Sequence, residues 1–125
     1  MFSMLLQVAL GGAIGASARY LTGVAVMRAV GPGFPWATLG VNILGSFLMG
    51  LFVVAAAQRG LTGWSPLVMT GVLGGFTTFS AFSLDAYTLY ERGLAGQAAA
   101  YVLASVLLAL AGLVAGVAVG RGLFS

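Results

Sequence analysis

The chain has 125 residues, 61% of them hydrophobic and 6% charged, whereas a soluble domain carries about a quarter charged residues; with a mean hydropathy of +1.11 it reads as an integral membrane protein. It has no Cys and no His, which excludes disulfides, thiolate chemistry, zinc sites and imidazole relays, and its two acidic residues, Asp85 and Glu91, offer no carboxylate pair, so no enzyme is expected. The net charge of +3 comes from five scattered arginines, with no basic cluster to follow a nucleic-acid backbone.

Residues 1–18, 29–58, 60–84 and 93–120 each lack a charged side chain. A helix needs about 20 apolar residues to cross the hydrocarbon core. The sequence therefore predicts an all-α membrane protein, a single domain over 1–125, with spans near 4–27, 37–57, 65–90 and 96–120. In the first span, Ala16-Ser17-Ala18 resembles a signal-peptide cleavage site. Met1–Ser3 carry no positive charge, however, and the apolar run resumes from Leu21 to Met27, so the span is expected to be retained. Arg19 is the one basic residue inside a span. Snorkelling to the interface, attraction of anions at a pore mouth and pairing with Asp85 are all open to it.

The second span follows the breaker-rich Gly31-Pro32-Gly33-Phe34-Pro35 and carries Thr38, Asn42 and Ser46 at four-residue spacing, on one helical face. Asn in hydrocarbon is costly unless paired, so Asn42 must face protein or water. Ser46 serves equally as interhelical glue or as part of a site.

The third span is unusual. Residues 72–83 hold two adjacent glycines, four hydroxyls and three phenylalanines without a charge. A broken helix survives in a bilayer only where protein or a watery cavity satisfies its backbone. With a break near Gly74–Thr77, Thr77 or Thr78 would cap the outgoing half, and carbonyls of the break could coordinate a cation. Phe79 and Phe82 then fall three apart on one face, as do Ser80 and Ser83. Phenylalanines in membranes are usually packing or lipid contacts, but a ring edge is positive. Two edges can attract a small anion without the tight grip of a full charge. The fourth span repeats the polar spacing at Tyr101 and Ser105, and Trp36 and Trp64 fall where an aromatic belt would place them.

Gly11 and Gly15, Gly71 and Gly75, and Gly112, Gly116 and Gly120 follow the small-xxx-small spacing that lets helices approach closely, within one chain or between copies. Four such helices can hardly enclose a hydrated path alone, so at least a homodimer is expected. The loop arginines divide evenly, Arg28 and Arg92 on one side against Arg59 and Arg121 on the other. The positive-inside rule thus gives almost no instruction. Either other features fix one orientation, or the chain inserts both ways and pairs head to tail.

Three stretches together resemble the CrcB-type, or Fluc, fluoride channels: Gly15-Ala16 with Arg19-Tyr20, the run Thr38–Phe47, and Gly74-Gly75-Phe76-Thr77-Thr78-Phe79-Ser80-Ala81-Phe82-Ser83. The likeness extends over nearly the whole chain. It implies a bacterial inner-membrane protein forming an antiparallel, dual-topology homodimer that passes fluoride passively out of the cell and relieves its toxicity. Carried over position by position, it makes Phe79 and Phe82 the rings of the fluoride path and Asn42 a hydrogen-bond donor to it. It places Ser80, Tyr101 and Ser105 on or near a polar track and matches Arg19 to the arginine of the first helix. Gly74 and Thr77 would lend backbone carbonyls to a structural sodium ion (Na+). One turn after Ser105, where relatives can carry another hydroxyl, this chain has Ala109, which shortens the track. Ala81 stands where many relatives have Thr.

Two other functions compete on the residues. A small dual-topology proton-coupled exporter relies on an acidic residue in its first helix, and this first span has none. A non-transporting scaffold would account for the glycines but would leave the broken third span and the Asn42 stripe unexplained.

Overall fold

The computed structural model describes residues 1–125 and is helical throughout. Four helical spans are long and apolar enough to cross a membrane: Phe2–Val30, Trp36–Arg59, Thr62–Glu91 and Ala95–Phe124. Each contains the span predicted for it and adds one to four residues at either end. The extra length falls where a helix leaves the hydrocarbon. At 1.5 Å per residue, the fourth span is about 45 Å long, against a core of about 30 Å.

Helix α1 (Phe2–Val30) stops at Gly31, whose φ of 76° suits glycine and whose N–H bonds the Met27 carbonyl. Helix α2 (Trp36–Arg59) stops at Gly60, a left-handed cap with φ 67° and ψ 34°. The N–H groups of Gly60 and Leu61 both return to the Ala56 carbonyl, which satisfies a helix end that a side chain with a Cβ would strain. Arg28, Arg59 and Arg121 sit in the last turns of their helices, where a cation complements the negative end of the dipole.

The third span is two helices. After a short turn at Thr62–Trp64, α3 (residues 66–76) starts at Pro66, runs with widened π geometry over Pro66–Leu73 and ends as one α-turn, Gly74–Phe76. Helix α4 (Phe79–Glu91) follows, then α5 (Ala95–Phe124). The break itself is Thr77 and Thr78. Gly74 and Gly75 lie before it in helical conformation, so the break falls at the C-terminal edge of the predicted Gly74–Thr77 window.

Two helix pairs make the body: α1 lies along α3, and α2 lies along α5, with α4 packed on α5. Glycines set both distances. A Cβ on Gly15 would meet the Val72 carbonyl and stand 2.8 Å from the Phe76 nitrogen, and one on Gly116 would meet the Phe47 carbonyl and stand 3.0 Å from the Leu51 nitrogen. Gly11, Gly71, Gly75, Gly112 and Gly120 make similar close approaches to these neighbours. The small-residue spacings are thus used within the chain, and they do not themselves argue for a second copy. The core gathers where α4, α5 and the start of α2 meet: Leu39, Phe82, Leu89, Ala98 and Tyr101, with Phe34 and Ile43 against them. Only 18 of 125 residues are buried, and the exposed surface is rich in Leu and Val, as suits lipid or another protein chain rather than water.

Candidate functional site

The site forms around the break. Thr77 (φ −89°, ψ 160°) and Thr78 (φ −154°, ψ 123°) are extended and cannot continue the helical ladder. Thr77 closes the incoming helix: its N–H and its hydroxyl both donate to the Leu73 carbonyl, at 3.1 and 3.0 Å. Thr78 opens the outgoing one, its hydroxyl accepting from the Ala81 N–H at 3.1 Å and lying 3.3 Å from the Ser80 hydroxyl. Of the two threonines that could cap α4, Thr78 does so.

Asn42 holds this break together. Its Oδ1 accepts from the Thr78 N–H at 2.7 Å, and its Nδ2 donates to the Thr78 carbonyl at 2.9 Å. The side-chain amide thus stands in for the ladder at the extended residue, which answers the demand that Asn42 be paired. One N–H of the amide is left over. The remaining geometry follows from these bonds. The Thr78 N–H is spent on Asn42 and the Ala81 N–H on Thr78, so neither bonds the carbonyl four residues before it. The carbonyls of Gly74 and Thr77 therefore lose their helical partners. The Gly75 carbonyl takes Arg19 Nε at 3.0 Å.

Two grooves flank the break, and Thr78 lines both. The first, of about 410 Å³, brings together Asn42, Ser46, Thr77, Phe79, Phe82 and Ser105. The Phe79 and Phe82 rings lie 5.3 Å apart and tilted by 55°. Phe82 is 8% exposed and Phe79 77%, so one ring is packed inside the chain and the other stands out from it. The Ser105 hydroxyl is buried with no hydrogen-bond partner. Beyond Ser105 the wall turns apolar, with Met49, Val106, Ala109, Leu110 and Leu113. The second groove, of about 490 Å³, is lined by Arg19, Tyr20, Arg28 and Thr38 among others. The predicted polar face of α2 is therefore divided, Thr38 on one groove and Asn42 and Ser46 on the other.

Ser80 and Tyr101 stand beside the first groove rather than on its wall. Ser80 is joined to Thr78. Tyr101 is completely buried against Phe82, ring centroids 5.3 Å apart, and donates to Asp85 Oδ2 at 3.2 Å. Asp85 and Arg19 thus take different partners, Tyr101 and the Gly75 carbonyl, and of the three roles open to Arg19 the pairing with Asp85 is not the one adopted. Sequence reasoning missed the Asn42–Thr78 clamp and the Arg19–Gly75 bond. Their partners lie 36 and 56 residues apart, and no local periodicity connects them.

Residues 6–117 match the family described as CrcB-like protein, Camphor Resistance (CrcB). Among curated relatives, a protein of Cereibacter sphaeroides named fluoride-specific ion channel FluC is 67% identical over 122 residues, 98% of each chain. A protein of the same name from Roseobacter denitrificans is 61% identical over 96% of this chain and 97% of its own length. Another, from Agrobacterium fabrum, is 56% identical over 94% and 95%. The similarity runs end to end and includes every element around the break. This multi-pass membrane protein belongs to the CrcB-like family.

Proposed function

We propose that the protein is a fluoride-selective channel that lets fluoride leave the cell passively across the bacterial inner membrane, so lowering its toxicity. The observation that carries this reading is the first groove: Asn42, Ser46, Thr77, Ser105 and two tilted phenylalanine rings line one space with no charged side chain on its wall. Fluoride is small and strongly hydrated, and a pore for it must replace water with donors while binding weakly enough to release. Hydroxyl, amide N–H and ring edges do this without a full charge. The names of the relatives point to the same ion. The relatives are named as ion channels, and the protein acts as a channel, not an enzyme.

The assembly belongs to the same proposal. Phe79 and Gly74 are exposed on the single chain, and backbone without partners is not tolerated in lipid. A second copy across this face would cover both, and the even division of loop arginines imposes no single orientation, as an antiparallel, dual-topology homodimer requires. Tags at the termini should then be reachable from both faces of the membrane; labelling from one face alone would refute dual insertion. The residues also fit a structural sodium ion. Hard cations take oxygen ligands, and the Gly74 and Thr77 carbonyls have lost their helical partners. A bound Na+ would satisfy these dipoles and place a fixed positive charge near the break.

Purified protein in liposomes tests the function. With an ion-selective electrode, fluoride efflux should far exceed chloride efflux. Equal release of both anions, or release of neither, would reject the channel. Phe79→Ile and Phe82→Ile should each cut fluoride flux, and wild-type flux in both would return the rings to packing.

A further inference from the structure

Phe82 is the packed ring of the first groove, and what fixes its position lies outside that groove. Its ring rests on Tyr101, centroids 5.3 Å apart at 42°. Tyr101, buried among Leu39, Leu89 and Ala98, is oriented by two directional contacts. Its hydroxyl donates to Asp85, and its ring meets the edge of Phe34 at 5.5 Å and 90°. The Phe34 ring lies in turn 4.6 Å from that of Trp36, tilted by 51°. A continuous column of rings therefore runs Trp36, Phe34, Tyr101, Phe82, Phe79, from the connection between α1 and α2 to the break in the third span. Phe34 belongs to no helix; it sits between Gly33, with φ of 121°, and Pro35, and its carbonyl accepts the Trp36 N–H at 2.9 Å. The connection is thus shaped to present one ring inward, and that ring joins the buried cluster containing Phe82 and Tyr101.

We propose that Phe34 is a positioning residue for conduction: it holds Tyr101 against Phe82 and so sets the angle at which the Phe82 ring faces the groove. This rests on the reading of Phe82 as a ring of the anion path. Edge-to-face aromatic pairs favour one relative orientation over the alternatives, whereas an aliphatic side chain of similar bulk fills the space without directing the ring. Loss of the Phe34 ring removes the aromatic partner that orients Tyr101 from the α1–α2 connection, while its hydroxyl bond to Asp85 and its burial among Leu39, Leu89 and Ala98 remain, and Phe82 gains freedom to tilt.

The test measures fluoride efflux from liposomes for wild type, Phe34→Leu, Phe34→Tyr and Phe82→Ile. In parallel, a para-fluorinated phenylalanine is placed at position 82, and in a control at position 47, and followed by fluorine NMR. Phe34→Leu is expected to reduce flux about fivefold, the scale of one aromatic pair, and to shift or broaden the resonance at 82 while leaving that at 47 in place. Phe34→Tyr keeps the ring and should retain wild-type flux and resonance. Wild-type flux in Phe34→Leu would overturn the proposal. So would reduced flux with an unmoved resonance at 82, or an equal loss in Phe34→Tyr. If Phe34→Leu elutes as aggregate, Phe34→Met is read against the same outcomes. Wild-type flux in Phe82→Ile would instead overturn the pathway reading itself, and the proposal with it.

Discussion

Replacing Asn42 probes the structural centre of the break. The amide makes two bonds to one residue, at 2.7 and 2.9 Å. In Asn42→Ala the Thr78 N–H and carbonyl lose both partners, and each buried group left unpaired costs about 1–3 kcal/mol. Asn42 lines a groove that water can enter, which recovers part of that cost, and measured hydrogen bonds in membrane helices fall well below the apolar limit. A net loss of about 2 kcal/mol follows, on the order of 8 °C in the melting midpoint for a chain of this size. Asn42→Asp discriminates further. It can still accept from the Thr78 N–H but cannot donate to the Thr78 carbonyl, and it sets a carboxylate oxygen against that carbonyl where a hydrogen bond stood. Its stability should match or fall below that of Asn42→Ala, and its added negative charge should depress fluoride flux by roughly tenfold or more, about 1.4 kcal/mol at the barrier. Melting followed by size-exclusion chromatography after heating, together with liposome efflux, measures both. An Asn42→Ala protein that melts within about 1 °C of wild type and conducts normally would refute the clamp.

Ser105→Ala removes a buried hydroxyl that has no partner, so stability should hold or rise slightly while fluoride efflux falls severalfold; a drop in the melting midpoint with unchanged flux would make Ser105 a packing residue. Gly116→Ala drives a methyl into the α2 backbone at Phe47 and Leu51. Overpacking of this kind costs about 1–3 kcal/mol, to be read as a lower melting midpoint, and an unchanged midpoint would show slack between α2 and α5. Exchanging sodium for a bulky organic cation on both sides of the liposome should slow fluoride efflux and lower the melting midpoint if the Gly74 and Thr77 carbonyls hold a cation; indifference in both measurements would remove sodium from the proposal.

The four spans were legible because charge-free stretches of the required length announce them, and glycine or proline marks each connection. The break was legible too, since glycines and hydroxyls crowd into residues 72–83. Its exact place was not. Gly74 and Gly75 look like the breakers, yet they are helical, and Gly75 is needed because a Cβ there would stand 2.8 Å from the Gly12 carbonyl of α1. Glycine signals either conformational freedom or close approach, and the sequence alone does not separate the two. The extended residues are threonines instead, kept in that conformation by Asn42 from another helix. Four-residue spacing correctly put Asn42 and Ser46 on one groove, but it could not reveal that Thr38, one turn away, faces the other because Thr78 stands between them.

The position of Arg19 gives the proposed mechanism its physical logic. A guanidinium in the first groove would hold a small anion strongly, since attraction between unit charges rises steeply as water is excluded. Instead Arg19 lines the second groove, and its Nε is engaged with the Gly75 carbonyl at the end of α3. That bond neutralises part of the exposed helix terminus and also sets the charge on the far side of Thr78 from the rings. In the proposed channel Arg19 and Arg28 would draw anions toward the break on the side of the second groove, and the neutral donors and rings of the first would carry them. The proposed channel thus places attraction and passage in the two grooves that Thr78 divides. The consequence is separable by experiment. Arg19→Gln, which keeps an N–H for the Gly75 carbonyl but removes the charge, should lower fluoride flux most at low ionic strength, where long-range attraction is least screened, and should leave the preference for fluoride over chloride unchanged. A loss of that preference would mean that the charge acts within the selective groove after all.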